Sequence, residues 1–214
     1  MRYRLVMFDF DGTLADSFPW FLRVLDDAAR RYRFRPVAAG ELERLRGLGA
    51  RELMRHLGIA PWKVPLIASY MRRRLGAEAA APSLFPGIAE VMRGLAMNGV
   101  TLAVVTSNSE PNVRRALGIE HAARFRAFEC GASILGKAKR FRRVLRDTGI
   151  PAHQALCVGD EIRDAEAARV AGIPFGAALW GYTSEAALRE QRPAHLFHTP
   201  DDILASTLAV EARK

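Results

Sequence analysis

The sequence predicts an α/β protein: a doubly wound parallel sheet with a small all-helical segment inserted after its first strand. Three observations lead there. From Ser83 onward, short apolar runs alternate with amphipathic helical stretches, as buried parallel strands and their covering helices require. Residues 16–82 break that alternation and carry helical patterns alone. Finally, the apolar runs end in polar residues, and ligands of open parallel sheets bind beyond the carboxyl ends of the strands.

The first strand lies in "LVMFDFDGTLADS" (5–17), an apolar run that closes on two acids, Asp9 and Asp11. In "FPWFLRVLDDAARRY" (18–32), Phe18, Phe21, Leu22, Leu25, Ala29 and Tyr32 form one helical stripe. "GELERLRG", "ARELMRHLG" and "PWKVPLIASYMRRRL" continue the helices, and the chain returns near "LFPG" (84–87). "GVTLAVVTSNS" (99–109) is the second strand, followed by a helix over "EPNVRRALG" that Gly118 closes. "RFRAFECG" is the third strand and "KAKRFRRVLRDTGI" a basic amphipathic helix. "QALCVGDE" supplies a fourth strand, and "IRDAEAARVAGI" a helix ending at Gly172. "PFGAALWG" and "HLFHT" complete the sheet, with helices over "SEAALREQ" and "PDDILASTLAV" opened by Ser and Pro-Asp signals. This divides the chain into a core (1–15 and 83–214), Rossmann-like in its winding, and an insert (16–82).

Composition narrows the classes. At 214 residues, 50% of them hydrophobic, the chain can bury a substantial core. No apolar run approaches the ~18 residues of a membrane span, so no membrane partner is expected. The amino terminus reads as a strand and not a leader, and the expected location is cytoplasmic. The net charge of +9 suits nucleic acid or small anionic substrates. No aromatic-rich strand or helix-turn-helix pattern accompanies the arginines, so no nucleic-acid partner is expected. Cys130 and Cys157 read as small buried hydrophobes, and the five histidines show no metal-ligand spacing. No pattern fixes an oligomeric state.

The chemistry converges at the strand ends. Asp9 and Asp11 share a face if the strand stays extended, and like charges that close raise each other's pKa. Thr106 ends the second strand, a lysine follows the third, and Asp160 ends the fourth with Glu161 and Asp164 behind it. A divalent cation held by Asp9 and Asp160 would relieve the repulsion, and hard carboxylate oxygens suit Mg²⁺.

"DFDGT" (9–13), "VVTSN" (104–108), a lysine near 137 and "VGDEIRD" (158–164) resemble the four motifs of the haloacid dehalogenase superfamily, in the order and spacing of its phosphatases. The insert resembles that family's helical cap domain. The resemblance implies an Mg²⁺-dependent phosphatase acting on a small phosphorylated metabolite, similar to phosphoglycolate phosphatases. Asp9 would be the nucleophile, giving an aspartyl-phosphate. Asp11 would be the general acid and then the base, its backbone carbonyl also ligating Mg²⁺. Gly12 would let the chain turn past the phosphate. The Thr106 hydroxyl, with the N–H groups of Ser107 and Asn108, would hold phosphoryl oxygens. Asp160 would ligate the metal, with Asp164 orienting a metal-bound water or the lysine.

Lys137, at a loop-to-helix junction beside Gly136, is favoured over Lys139 for the phosphoryl group; the proline that often follows this lysine in the family is replaced by Ala138. Arg46 and Arg51 in "LRGLGAR" are candidates for gripping a second anionic group, since arginine binds carboxylate bidentately. Trp180 and Tyr182 follow a strand but are read as core. A phosphomutase on the same fold, or a non-catalytic module that retains it, are the alternatives.

Overall fold

Apolar runs rich in Val, Leu, Phe and Ala form β1 (Leu5–Phe8), β2 (Thr101–Val105), β3 (Phe125–Glu129), β4 (Ala155–Gly159), β5 (Phe175–Ala178) and β6 (His195–Phe197). In this computed structural model, which describes residues 2–38, 40–78, 81–131 and 136–209, they pair into one parallel sheet in the order β3–β2–β1–β4–β5–β6. The expected doubly wound order is present, with β1 and β4 adjacent at the centre where the winding reverses.

Alternate strand residues serve opposite faces. Val6, Phe8, Leu102, Val104, Leu156 and Val158 pack under α5 (Ile88–Met97), α6 (Glu110–Ala122) and α10 (Pro200–Leu208). Leu5, Met7, Ala103, Val105, Ala155 and Cys157 face α7 (Lys137–Thr148), α8 (Ile162–Ala171) and α9 (Glu185–Glu190). Both faces are dry, so the strands can be apolar throughout. The pattern reading does not assign α5. Gly118 does close its helix (φ 68°, ψ 170°), and a second short helical segment follows at once to Ala122, so α6 is two helices across a kink. The last expected helical residue, Val210, lies outside the described residues, as do positions 39, 79 and 80 of the insert.

Between β1 and α5 the described residues hold α1 (Phe18–Tyr32), α2 (Leu42–Leu45), α3 (Ala50–His56) and α4 (Val64–Ala77), and no strand. They bury a cluster of their own around Leu25, Ala28, Ala29, Phe34 and Leu57. Of the expected α1 stripe, Leu25 and Ala29 are buried and Phe21 and Tyr32 pack against this cluster, with Val24 and Ala28 buried beside them. Phe18 and Phe21 also meet Tyr182, with ring centroids 4.8 and 5.6 Å away.

The chain leaves and re-enters the core through adjacent segments. Asp16 N–H donates to Ser83 O (2.8 Å) and Phe85 N–H to Leu14 O (3.0 Å), joining the segment after β1 to "LFPG". Away from this neck, Arg115 of α6 donates to the carbonyls of Leu75, Gly76 and Glu78, satisfying the open end of α4. No described helix is long and apolar enough to cross a membrane.

Candidate active site

Register brings the motifs together. Phe8 lies beside Val104 and Val158, so β1, β2 and β4 end level and release Asp9, Thr106 and Asp160 at one edge. Asp9 is anchored by its own N–H to Val158 O (2.9 Å). Lys137, the first residue of α7, extends its Nζ between Asp9 Oδ2 (2.7 Å) and Asp164 Oδ1 (2.5 Å), with all three side chains at most 3% exposed. Lys139 is exposed.

The acids are held by different partners. Asp160 Oδ1 accepts from Thr13 Oγ1 (2.6 Å) and Oδ2 from Tyr182 N–H (2.8 Å). Asp164 Oδ2 accepts from Glu161 N–H (3.2 Å), closing the first turn of α8. Asp9 Oδ1 accepts from Phe10 N–H (2.8 Å), whereas the buried Oδ2 faces the Lys137 ammonium. Oxygens of Asp9, Asp160 and Asp164 lie within 4.8 Å of one another. Burial, reinforced by Glu161, Asp9 and Asp164, pushes the Asp160 carboxyl well above the usual range. Burial likewise raises Asp164 to about 6 against the pull of Lys137. Burial opposes the Lys137 charge, but Asp164 and Asp9 outweigh it and lift its pKa above the ordinary lysine value. Three buried carboxylates face one ammonium, and an all-carboxylate oxygen set of this kind fits a hard divalent cation such as Mg²⁺.

Asp11 sits apart from that set, beyond the end of β1 and not in an extended strand. Its Oδ1 accepts from Ser17 Oγ (2.8 Å), and Asn108 Nδ2 reaches Oδ2 (3.0 Å). Burial and then Asp9 raise its pKa to about 6. Ser17 Oγ also meets the Tyr182 hydroxyl at 2.8 Å. The turn past Asp11 needs Gly12: φ is +77°, and a Cβ there would meet Asp160 Oδ2 at 2.2 Å. Buried Thr106 accepts Asn108 N–H on its hydroxyl (3.1 Å).

The chain matches the haloacid dehalogenase-like hydrolase family over residues 6–178. It is a haloacid dehalogenase-like hydrolase. Among curated proteins it is 31% identical to a phosphoglycolate phosphatase of Synechococcus elongatus, over 93% of this chain and 94% of that one. Phosphoglycolate phosphatase 1 of Pseudomonas aeruginosa is 28% identical, over 94% of this chain and 78% of its own. A haloacid dehalogenase-like family hydrolase from Streptococcus pneumoniae shares the fold, with a TM-score of 0.78 and 21% identity over 96% of this chain and 98% of that one.

Within this hydrolase, Asp9, Asp11, Gly12, Thr106, Lys137, Asp160 and Asp164 gather at the one strand edge as the sequence suggests. Three expectations change in detail. The Asn108 N–H is directed to Thr106, and the Asn108 side chain serves Asp11 instead. Arg46 donates Nε to Tyr182 O (2.9 Å), Nη2 to Gly181 O (3.0 Å) and Nη1 to Glu43 (3.1 Å), so its donors are already engaged. Tyr182, expected in the core, is half-buried beside Asp11 and Asp160.

Arg51 is exposed and makes no hydrogen bond or ion pair with the described residues. Ser107 offers its carbonyl to Arg72 Nη1 (3.3 Å). Sequence reasoning also misses Ser17, Thr13 as a partner of Asp160, and Arg163. That arginine is paired with Glu161, its charge sustained against burial by Glu161, Asp9 and Asp164. The helical position of Arg163, one residue before Asp164, carries no signal that separates it from a surface arginine.

Proposed function

We propose that this hydrolase is an Mg²⁺-dependent phosphatase of small phosphomonoesters, 2-phosphoglycolate among the candidates, working through an aspartyl-phosphate on Asp9. The observation that carries the reading is the division of labour between the paired acids. Asp9 is ion-paired through Oδ2 to a buried lysine, with Oδ1 held by the Phe10 N–H. Asp11, two residues on, has a raised pKa of about 6. One acid is equipped to attack, the other to carry a proton near neutral pH.

In the first half-reaction an Asp9 oxygen forms a bond to phosphorus as the bond to the leaving oxygen breaks, and Asp11 gives that oxygen its proton. In the second, Asp11 takes a proton from water as the water oxygen attacks phosphorus, returning Asp9 as a carboxylate and releasing phosphate. Lys137 offsets charge on Asp9 and on the transferring group. The Thr106 hydroxyl and the Ser107 N–H would receive phosphoryl oxygens. Asp9, Asp160 and the Asp11 carbonyl would hold Mg²⁺, with Asp164 fixing Lys137. When bound, the ion supplies positive charge against the phosphoryl oxygens.

Residues 16–82 act as a cap that shelters the site, with 1–15 and 83–214 as the catalytic core. Arg51, exposed on the cap, is the candidate for meeting a second anionic group on the substrate. The 31% identity to a phosphoglycolate phosphatase supports this substrate class. The test is phosphate release from a panel of small phosphate esters, with Mg²⁺ and then with chelator. Release that needs Mg²⁺ and favours short phosphorylated acids supports the reading. Full activity in chelator, or no release from any ester, sinks it.

A further inference from the structure

We infer that Tyr182 is a positioning residue through which the docked helical insert orients Asp11. The inference rests on the reading of Asp11 as the proton donor to the leaving group. Ser17 has one hydroxyl proton, and it goes to Asp11 Oδ1 (2.8 Å). The 2.8 Å contact between Ser17 Oγ and the Tyr182 hydroxyl therefore has Tyr182 as donor. The result is a directed relay, Tyr182 to Ser17 to Asp11, that leaves Asp11 one rotamer. Asn108 holds the other carboxylate oxygen (3.0 Å).

The far end of the relay is set by the insert. The Tyr182 ring lies against Phe18 and Phe21 of α1, at 4.8 and 5.6 Å between centroids. Arg46 stands over the Phe18 ring at 5.6 Å and grips the Tyr182 and Gly181 carbonyls at 2.9 and 3.0 Å. The main chain beneath is fixed from the core side, because Tyr182 N–H donates to Asp160 Oδ2 (2.8 Å). Gly181 allows that approach; a Cβ there would meet the Asp160 Cβ at 2.2 Å. Tyr182 thus touches the insert, a proposed metal ligand and the partner of the acid at once. If the insert moves away, the ring loses its aromatic neighbours and the hydroxyl loses its fixed place. Asp11 is then aimed only while the site is covered.

The experiment compares full-length wild type with Tyr182→Phe, Ser17→Ala, the double variant and Asp11→Asn, all with Mg²⁺. Each is measured as the single-turnover rate of leaving-group release, before the step in which Asp11 acts as base, on 4-nitrophenyl phosphate, whose leaving group needs little protonation, and on an alkyl phosphate such as 2-phosphoglycolate, whose leaving group needs it fully. Tyr182→Phe keeps the ring and removes one hydrogen bond, so the single-turnover rate on the alkyl ester should fall roughly 3- to 10-fold, with the substrate concentration for half-maximal rate nearly unchanged. On the aryl ester it should change by less than about 2-fold, which also reports an intact fold. Because the relay is serial, the double variant should lose no more than Ser17→Ala alone.

Equal losses on both esters, or losses that multiply in the double variant, overturn the inference while leaving Asp11 as the acid. Asp11→Asn distinguishes the two failures. If its loss is the same on both esters, Asp11 is not the acid, and the inference falls with that reading.

Discussion

Replacing Lys137 with alanine probes the electrostatic centre of the site. Its ammonium is 2% exposed and lies 2.7 Å from Asp9 and 2.5 Å from Asp164, themselves 3% and 1% exposed. Removing one partner of a buried ion pair costs about 3–5 kcal/mol, because the surviving charge stays desolvated. Here two carboxylates lose one cation, with Asp160 close by, so protonation of one acid absorbs part of the cost and holds the loss in that range. For a chain of this size, that lowers Tm by roughly 6–20 °C. Phosphate release should also fall by orders of magnitude, since Asp9 and the transferring group lose their counter-charge.

The assay is thermal unfolding at pH 7.5 in chelator, alongside kcat with saturating Mg²⁺. Lys137→Met, which keeps the stem volume, separates charge from packing. Lys139→Ala, at an exposed position, should stay within about 0.5 kcal/mol and retain activity. A Lys137→Ala protein that unfolds within a degree or two of wild type and turns over normally would refute the reasoning.

The pKa of Asp11 is raised from 3.8 to about 6 in the folded protein, so its favourable contribution is complete below pH ~4 and is lost as pH rises through ~6. In chelator, wild type should therefore lose stability relative to Asp11→Asn across that window, measured by urea midpoints; a relative gain would contradict the sign. Gly12→Ala combines positive φ with a Cβ 2.2 Å from Asp160 Oδ2. Backbone strain alone should cost about 1–3 kcal/mol, and activity should vanish; a variant as stable and active as wild type would show that the turn is not as tight as described. Arg46→Ala frees the 181–182 carbonyls and should lower kcat/KM on every substrate alike, whereas Arg51→Ala should alter the ranking of anionic substrates and spare 4-nitrophenyl phosphate. The opposite pattern, read from a substrate panel, would reverse their roles.

The sheet and the strand-end acids were legible because their signals are local. Asp9 and Asp160 each close an apolar run, and parallel register then places them at one edge. Lys137 was legible from its seat after Gly136 at the start of a helix. Tyr182 was not, because its partner Ser17 is 165 positions away and an aromatic after a strand looks the same in the sequence whether it fills a core or lines a site. Arg46 meets its carbonyls 135 and 136 positions away, so its donors appeared free for a substrate. The α1 stripe shows the same limit: periodicity finds the apolar face that Phe21, Leu25, Ala29 and Tyr32 turn to the insert's own cluster, but not that Phe18 and Phe21 also meet Tyr182.

The central claim is that Asp9 carries the phosphoryl group, and acid-quench trapping tests it most directly. Asp11→Asn protein is mixed with substrate and Mg²⁺, denatured in acid within the first turnover, digested and weighed peptide by peptide. The account predicts one added phosphoryl group on the peptide that holds Asp9, and none when Asp9 is also changed to Asn. A phosphoryl group on any other residue, or phosphate released with none ever bound to the protein, would contradict it.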